Sequence, residues 1–287
     1  MPADIEWDHE VDVLCVGAEG SVLAAGAVAA NAGLDVYVGI SAGRAADSEL
    51  AASLGYQGSD KQTTDYLTGF DFAFANIDHE PARWPVRTVQ EMKPPKLQPQ
   101  PPAVVQPFFG AQLEPWARQC ASAPSGVVYN QVGKRQMAEM RSSRTGETVE
   151  AAVVGSIALR PDRPALPLIT WLREVAAVAG LDPRPGVRLV ELVFDEEGLA
   201  GAALDTIEGP VTVRARQNLI IGIGDPLAGQ MRPLVTGSEP VTAHICLVSK
   251  VASRFGQLEM ILTNEPPNCL SFLPAPDSQI EHYASGF

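Results

Sequence analysis

A glycine-containing turn near the N-terminus is the part of the sequence whose residue types and spacing could do chemistry. It follows the β-favouring run Val11–Val16 and reads Gly17-Ala18-Glu19-Gly20-Ser21-Val22. Turns of this kind bind phosphate through backbone N–H groups at the start of the next helix, and they need glycine where the phosphate approaches the backbone closely. For a dinucleotide bound by its pyrophosphate, the candidate cofactor-binding residues are Gly17, Ala18, Gly20 and Ser21.

Two features of this turn oppose dinucleotide binding. A GxGxxG fingerprint has glycine at its third and sixth positions, where this chain has Glu19 and Val22. A carboxylate at the third position adds bulk and negative charge where pyrophosphate has to approach. The acidic residue that would bind the ribose hydroxyls is also missing, because its expected place falls at Gly39–Ile40. Gly20, one position late, replaces the lost glycine only in part.

The histidines and cysteines form no second candidate site. The four histidines are widely separated and show neither HxxxH nor HExxH spacing, so no metal site is predicted. The four cysteines show no CxxC spacing, which argues against a zinc cluster or a disulfide framework. Cys15 lies inside the first strand, and Cys246 has His244 nearby but no third group. Both cysteines are predicted to be structural, and no catalytic residue is assigned.

The turn is positioned by a βαβ unit. The strand Val11–Val16 precedes it, an alanine-rich helix follows over Gly20–Ala32, and Gly33 closes that helix before the second strand Leu34–Val38. Strand, helix and strand within about 30 residues predict a parallel sheet. The predicted fold class is therefore α/β: a dinucleotide-binding-like (Rossmann-type) three-layer domain with a parallel sheet and an added β-hairpin region.

A second ordered region is predicted downstream. An amphipathic helix over Pro167–Ala179 precedes a hairpin, two short strands and a C-terminal hairpin. The strand Leu219–Ile221 should re-enter the parallel sheet, because it is a short apolar run that ends at Gly222. The hairpin strands are Val187–Phe194 with Leu199–Leu204, and His244–Lys250 with Gln257–Thr263; Val211–Val213 adds a further strand.

A proline-rich stretch separates these regions. Ten prolines lie between Pro81 and Pro124. Proline fixes φ and removes a hydrogen-bond donor, so the stretch is predicted to be neither a long helix nor a central strand. It should run extended over its own domain or over a partner. Its large aromatic residues could pack on the chain's own core, the favoured alternative, or on another subunit; they are Phe108, Phe109 and Trp116.

These segments predict three parts of the chain. Residues 1–50 and 165–230 form a discontinuous FAD-binding-like α/β domain. Residues 51–164 form an irregular, proline-rich insertion, and residues 231–287 form a C-terminal hairpin and tail.

Charge and hydropathy exclude several partner classes. The chain of 287 residues has a net charge of −13, which is opposite to the basic surface that a nucleic-acid-binding protein needs. No run of about 18 apolar residues predicts a membrane span. The N-terminal residues are acidic and lack the features of a signal peptide. A cytoplasmic location is predicted.

The order of these elements resembles a known family. Val11–Gly17 with the helix to Gly33 looks like the opening of the FAD-dependent fumarate reductase/succinate dehydrogenase and 3-ketosteroid dehydrogenase superfamily. The region Leu168–Gly224 is similar to that family's second FAD-domain segment, through Gly186–Val193 (GVRLVELV) and Val211–Arg216 (VTVRAR). The resemblance is concentrated at residues 10–40 and 167–225.

The resemblance implies an FAD-binding fold, and the departures from it predict that FAD has been lost. After the second strand, Ser41–Ser48 lacks the glycine pair that the family places around the flavin. The part after Gly224 is short for a substrate cap and a closing flavin segment. One interpretation is a non-catalytic, flavoprotein-derived subunit that forms a hetero-oligomer with a longer, catalytic flavoprotein. The alternative is an FAD-dependent oxidoreductase of a steroid, enoyl or other hydrophobic carbonyl substrate, with an unusual phosphate loop or a site completed by a second chain.

Overall fold

The computed structural model describes residues 6–41, 50–74, 84–92, 107–132, 137–142, 145–224, 230–236, 238–263 and 270–273. The helices within these residues are α1 (Glu19–Asn31), α2 (Leu50–Ser53), α3 (Lys61–Thr68), α4 (Asp71–Phe74), α5 (Pro107–Ala121) and α6 (Leu168–Val178). The strands are β1 (His9–Gly17), β2 (Val36–Ser41), β3 (Val86–Met92), β4 (Ser125–Tyr129), β5 (Ala138–Ser142), β6 (Thr148–Leu159), β7 (Arg184–Asp195), β8 (Gly198–Thr206), β9 (Gly209–Gly224), β10 (Arg232–Val235), β11 (Val241–Ser249), β12 (Phe255–Leu262) and β13 (Leu270–Leu273).

Strand β1 has a parallel neighbour on each side. Leu14 lies opposite Tyr37 of β2 and opposite Leu219 of β9. A strand paired on both edges and covered on both faces must be apolar throughout, and β1 is buried from Val13 to Val16. The predicted βαβ unit and its parallel pairing are confirmed, as is the α/β class.

The sheet is not the open parallel sheet that the sequence predicts. Strands β7, β8 and β9 form an antiparallel meander, and β7 also pairs in parallel with the end of β2. Because β9 returns to pair with β1, the order β1-β2-β7-β8-β9 closes into a five-stranded ring. The two predicted strands at 211–213 and 219–221 are one strand, β9, long enough to contact β8 in its first half and β4 in its second.

A second ring of five strands combines strands from the middle of the chain with the two strands of the C-terminal hairpin. Strands β12, β11, β6, β5 and β3 pair in that order, and β3 pairs again with β12. The predicted C-terminal hairpin is confirmed as β11 and β12, with Ser249 opposite Gly256 at its tip. Strand β4 joins the two rings, because it pairs antiparallel with β9 on one edge and with β12 on the other.

Helices cover both faces of this sheet. Helices α1 and α6 pack on one face, where Val22 and Leu168 are fully buried. Helices α3, α4 and α5 contribute to the core on the other face, through residues such as Leu67, Phe74 and Trp116. None of the helices in the described parts of the chain is long and apolar enough to cross a membrane.

The prediction that the proline-rich stretch contains no long helix is wrong. Helix α5 runs for 15 residues from Pro107, with Pro115 inside it, and β4 begins directly after Pro124 as a strand paired on both edges. Proline at the first helical position removes a donor that has no partner there, so Pro107 suits a helix start. The second proline is tolerated because tertiary packing holds the helix: Trp116 is 2% exposed and its Nε1 donates to the Phe255 carbonyl at 3.0 Å.

Own-core packing is thereby confirmed for Trp116, whereas the side chains of Phe108 and Phe109 lie outside the described residues. The segment predicted to be irregular, 51–164, holds four helices and four strands in its described parts. The boundaries of the three predicted parts of the chain stay a prediction.

Candidate functional site

The β1–α1 turn lies at the carboxyl end of the parallel strands, and it is packed against β9. Gly17 has a φ of 132° and pairs with Ile40 of β2 and Gly222 of β9. A Cβ atom at Gly17 would lie 2.1 Å from the Gly222 carbonyl oxygen, so only glycine fits. At Gly222 itself a Cβ would lie 2.7 Å from the Val22 side chain. The turn and the end of β9 are therefore in direct backbone contact.

Hydrogen bonds fix this contact. The Ala18 N–H donates to the Gly222 carbonyl at 2.9 Å, and the buried Ser21 hydroxyl donates to the Ile223 carbonyl at 2.7 Å. Both groups are candidate phosphate ligands in the sequence, and both are used inside the fold. A Cβ atom at Gly20 would lie 3.2 Å from the Ser125 hydroxyl and 3.7 Å from the Leu172 side chain. Gly17, Ala18, Gly20 and Ser21 thus lie together in the turn, and their role toward a cofactor stays a prediction.

Glu19 forms the most prominent charged contact of the turn. Its carboxylate accepts from Nε of Arg173 at 2.6 Å and from Nη2 at 3.0 Å, a bidentate pair that joins the start of α1 to α6. A carboxylate in the first turn of a helix is also favoured by the helix dipole. Glu19 is 25% exposed and Arg173 59%, so the pair contributes less than about 1 kcal/mol to stability. Its hydrogen bond to Glu19 raises the pKa of Arg173 further.

The second strand has an apolar side chain, that of Ile40, at the position predicted for ribose binding. Ile40 lies opposite Gly17 and packs its side chain against the core on the α1 face. The hydroxyl of the next residue, Ser41, donates to the Ser53 carbonyl at 2.9 Å. The connections that follow β2 and β9, residues 42–49 and 225–229, lie outside the described residues, and so does most of the predicted flavin-contacting stretch Ser41–Ser48.

The described side chains of the turn offer no group for acid–base or nucleophilic chemistry. Glu19 is ion-paired, and the Ser21 hydroxyl is committed to a carbonyl. A general base must be available to take a proton from substrate. Elsewhere, His244 bonds to Ser156 at 2.8 Å across β11 and β6, and no carboxylate of the described residues hydrogen-bonds to His244 as a triad would require.

The three described cysteines are buried free thiols. Burial raises the pKa of Cys15 and of Cys246 to about 12, and it raises the pKa of Cys120 well above its ordinary value. The thiolate is the reactive form, so these residues should be inert. The structural role predicted for Cys15 and Cys246 agrees with their position.

We expect all three thiols to resist Ellman's reagent at pH 8 in the folded protein. The test uses Cys269→Ser, because Cys269 lies outside the described residues. In the folded protein, fewer than about 0.2 thiols per chain should react within an hour, because burial protects all three from the reagent. In protein unfolded in urea, about three thiols per chain should react. Fast reaction of one thiol in the folded protein would contradict the buried positions.

Two cavities lie away from the turn. One of about 70 Å³ is almost wholly apolar and lies between α1 and the strands β6 and β11, with Ala29, Ala152 and Leu247 in its wall. Another of about 280 Å³ lies at the mouth of the first ring, between His9, Tyr37 and Arg184. Neither is lined by residues 17–21. A large pocket is the default hypothesis for a binding site, and here it does not coincide with the predicted one.

Two contacts of the turn, one with α6 and one with the end of β9, could not be predicted from the sequence. Arg173 lies on α6, and no local signal connects it to Glu19, 154 positions earlier. Gly222 and Gly224 were visible as the end of a buried strand. Their close approach to the turn and to Pro124 explains why both are glycine.

Comparisons with known proteins give only distant likeness. No family model matches the chain, and no curated protein matches it. Among solved structures, it is similar to 3-ketosteroid-delta4-(5alpha)-dehydrogenase from Rhodococcus jostii RHA1, with 19% identity, a TM-score of 0.31, and coverage of 76% of this chain and 47% of that chain. It is also similar to a flavocytochrome c3 fumarate reductase, with 15% identity, a TM-score of 0.27, and coverage of 73% and 33%.

A third similar structure is a geranylgeranyl bacteriochlorophyll reductase-like protein from Thermoplasma acidophilum, with 13% identity, a TM-score of 0.30, and coverage of 87% of this chain and 56% of that chain. The chain therefore spans about half or less of the first two proteins and under two thirds of the third. These three proteins are named as one dehydrogenase, one reductase and one reductase-like protein. TM-scores of this size establish neither a shared fold nor an activity.

Proposed function

We propose that this chain is a flavoprotein-derived, non-catalytic subunit whose dinucleotide turn is closed by its own residues. The observation that carries the proposal is the bidentate pair between Glu19 and Arg173 at the start of α1. In a working dinucleotide site this position has glycine, and the helix N-terminus receives the pyrophosphate. Here it has an internal carboxylate, held by an internal arginine.

The residues present do not fit an FAD molecule bound in the usual way. Two potential phosphate ligands, the Ala18 N–H and the Ser21 hydroxyl, already donate to carbonyls of β9. Glu19 would repel a pyrophosphate, because like charges in a partly desolvated site destabilise each other. Ile40 offers no acceptor for ribose hydroxyls.

The absorption spectrum of the purified protein tests this proposal. A colourless protein that takes up no added FAD supports it. Flavin absorption at one equivalent per chain would overturn it and favour the alternative, an FAD-dependent oxidoreductase of a steroid, enoyl or other hydrophobic carbonyl substrate. The observation in favour of that alternative is that the parallel strands β2, β1 and β9 surround the turn. The same absorption spectrum tests it.

Replacing Glu19 with glycine should restore measurable FAD affinity. The substitution removes both the negative charge and the bulk at the point where pyrophosphate approaches, and we expect a gain of at least about tenfold. Titration calorimetry with FAD would measure it. Val22 is left in place, because it is fully buried against Gly222 and its removal would open a cavity.

The matched control is Arg173→Gln, which breaks the same ion pair but leaves the Glu19 carboxylate in the turn. It should gain no affinity for FAD. Equal FAD affinity of Glu19→Gly and the unaltered protein would show that Glu19 is not the obstacle to FAD binding.

The supporting role implies a partner, and we propose a longer flavoprotein subunit. A chain with a closed cofactor site can still contribute surface to a catalytic neighbour. Co-expression with a flavoprotein gene adjacent to its own, followed by light scattering on the purified material, tests this. A monomer that forms no complex with that flavoprotein at micromolar concentration would contradict the proposal.

A further inference from the structure

Arg254 is held in a fixed orientation at the start of β12. The turn before it contains Ala252 with a φ of 62°, a left-handed conformation that is uncommon for alanine. The Phe255 N–H donates to the Ser253 hydroxyl at 3.0 Å, and the Ser249 hydroxyl donates to the Phe255 carbonyl at 2.8 Å. Strained backbone persists where surrounding bonds determine it, and such positions cluster at ligand sites.

The guanidinium of Arg254 is bound on several sides by neutral groups. Its Nε donates to the Tyr129 carbonyl at 2.9 Å, and its Nη2 donates to the Tyr66 hydroxyl. Its Cζ lies 4.5 Å from the ring centre of Phe70 and 5.3 Å from that of Tyr66. Cation–π contacts of this kind attract the charge without neutralising it.

No carboxylate compensates this cation within the described residues. The contrast with Arg87 is direct, because Arg87 contacts the carboxylates of both Glu147 and Glu259. Burial raises the pKa of Tyr66, and among the described residues Arg254 is the charged group that acts on it. Among the described residues no carboxylate, that of Asp71 between Phe70 and Phe72 included, lies within 4 Å of the Arg254 nitrogens.

One side of the guanidinium remains available for a ligand. Nη1 of Arg254 donates to no group in the described part of the protein, and the residue is only partly buried. The same aromatic cluster exposes an apolar side chain: Phe72 is 44% exposed, and its ring centre lies 6.0 Å from that of Phe255, which in turn lies 5.7 Å from that of Phe70. An arginine whose donors are preorganised recognises carboxylates through charge-assisted hydrogen bonds.

We propose that Arg254, with Tyr66, Phe70 and Phe72, forms a binding site for a small organic carboxylate that has a short apolar or aromatic body. The carboxylate accepts from Nη1 of Arg254, and the body of the ligand contacts Phe72. This site is separate from the β1–α1 turn and does not depend on the function proposed above.

Sodium benzoate and sodium acetate are the probes, titrated into the ¹⁵N-labelled full chain while the arginine Nε–H resonances are followed. A saturable shift of the Arg254 resonance is expected, with a benzoate Kd of about 1 mM. Acetate should bind more weakly, because it lacks an apolar body, and Phe72→Ala should reduce that difference. Absence of a saturable shift in the unaltered protein would overturn the proposal.

Variants separate this site from nonspecific anion binding. Arg254→Gln should weaken benzoate binding at least tenfold, and Arg254→Lys should retain part of it, because the charge remains but the planar fork is lost. Arg214→Gln removes the same charge from an exposed position and should leave the affinity unchanged. Equal affinity in Arg254→Gln and Arg214→Gln would refute the site. If Arg254→Gln does not fold, Arg254→Lys and Phe72→Ala supply the comparison.

Discussion

Replacing Arg87 with methionine is expected to lower the free energy of unfolding by about 3–5 kcal/mol. Arg87 donates from Nε and Nη2 to Glu259 at 2.6 and 3.0 Å, and from Nη1 to Glu147 at 3.1 Å. Glu259 is 1% exposed. Burial opposes the charge on Arg87, yet the two carboxylates raise its pKa above the ordinary value. Removing the arginine leaves the Glu259 carboxylate in the core, where the Gln257 amide, at 2.8 Å, is its one remaining hydrogen-bond partner among the described residues.

Urea unfolding at pH 7 measures the effect, and two further variants define its origin. Lys61→Met breaks an ion pair whose members are 86% and 63% exposed, so its cost should stay within about 0.5 kcal/mol. The double variant Arg87→Met with Glu259→Leu should be more stable than Arg87→Met alone, because it removes the uncompensated charge as well. A loss below about 1 kcal/mol in Arg87→Met would contradict the importance of the buried pair.

Local elements of this fold could be predicted because their signals are local. The strand β1, the small-residue helix α1 with Gly33 after it, and the amphipathic helix α6 each have a periodicity and an end signal within the element itself. The hairpin of β7 and β8 was equally visible, because its acidic glycine turn joins two apolar runs. These elements were placed to within a few residues.

Closure of the two rings could not be predicted, because it depends on pairings between distant strands. Strand β9 contacts β1 some two hundred positions away, with Leu219 opposite Leu14. Nothing in either strand specifies which edge the other occupies. Helix α5 was missed for a different reason: the local preference of proline was overridden by the burial of Trp116 in the core.

The position of the candidate site could be predicted from the sequence. Which of its polar groups are already bonded within the fold could not. The order of strand, turn and helix located residues 17–21, and the glycine spacing identified Glu19 as incompatible with pyrophosphate. The arginine that binds this carboxylate lies on another helix, and the carbonyls that accept from Ala18 and Ser21 lie on β9. A sequence specifies which groups a turn has; only the tertiary structure shows which of them are already bonded.

Gly17→Ala is expected to destabilise the protein by more than about 3 kcal/mol, or to prevent folding. Its added Cβ would lie 2.1 Å from the Gly222 carbonyl oxygen, a backbone atom that the β1–β9 pairing holds in place. The position also has a φ of 132°, where an alanine is strained even in open space. Denaturant unfolding, or circular dichroism if no transition is seen, measures the loss.

Substitutions at two other glycines distinguish the cost of the close contact between the added Cβ and β9 from the cost of the positive φ. Gly33→Ala tests strain alone, because its φ is 80° and nothing lies within 4 Å of the new Cβ; a cost of about 1–2 kcal/mol is expected. Gly222→Ala tests crowding at the same contact from the β9 side, where the nearest atom is 2.7 Å away and belongs to the Val22 side chain, which has some freedom to shift. We expect its cost to fall between the other two. If Gly17→Ala cost no more than Gly33→Ala, the β1–α1 turn would not be in backbone contact with β9, and the reason for regarding its phosphate-binding groups as already bonded would be lost.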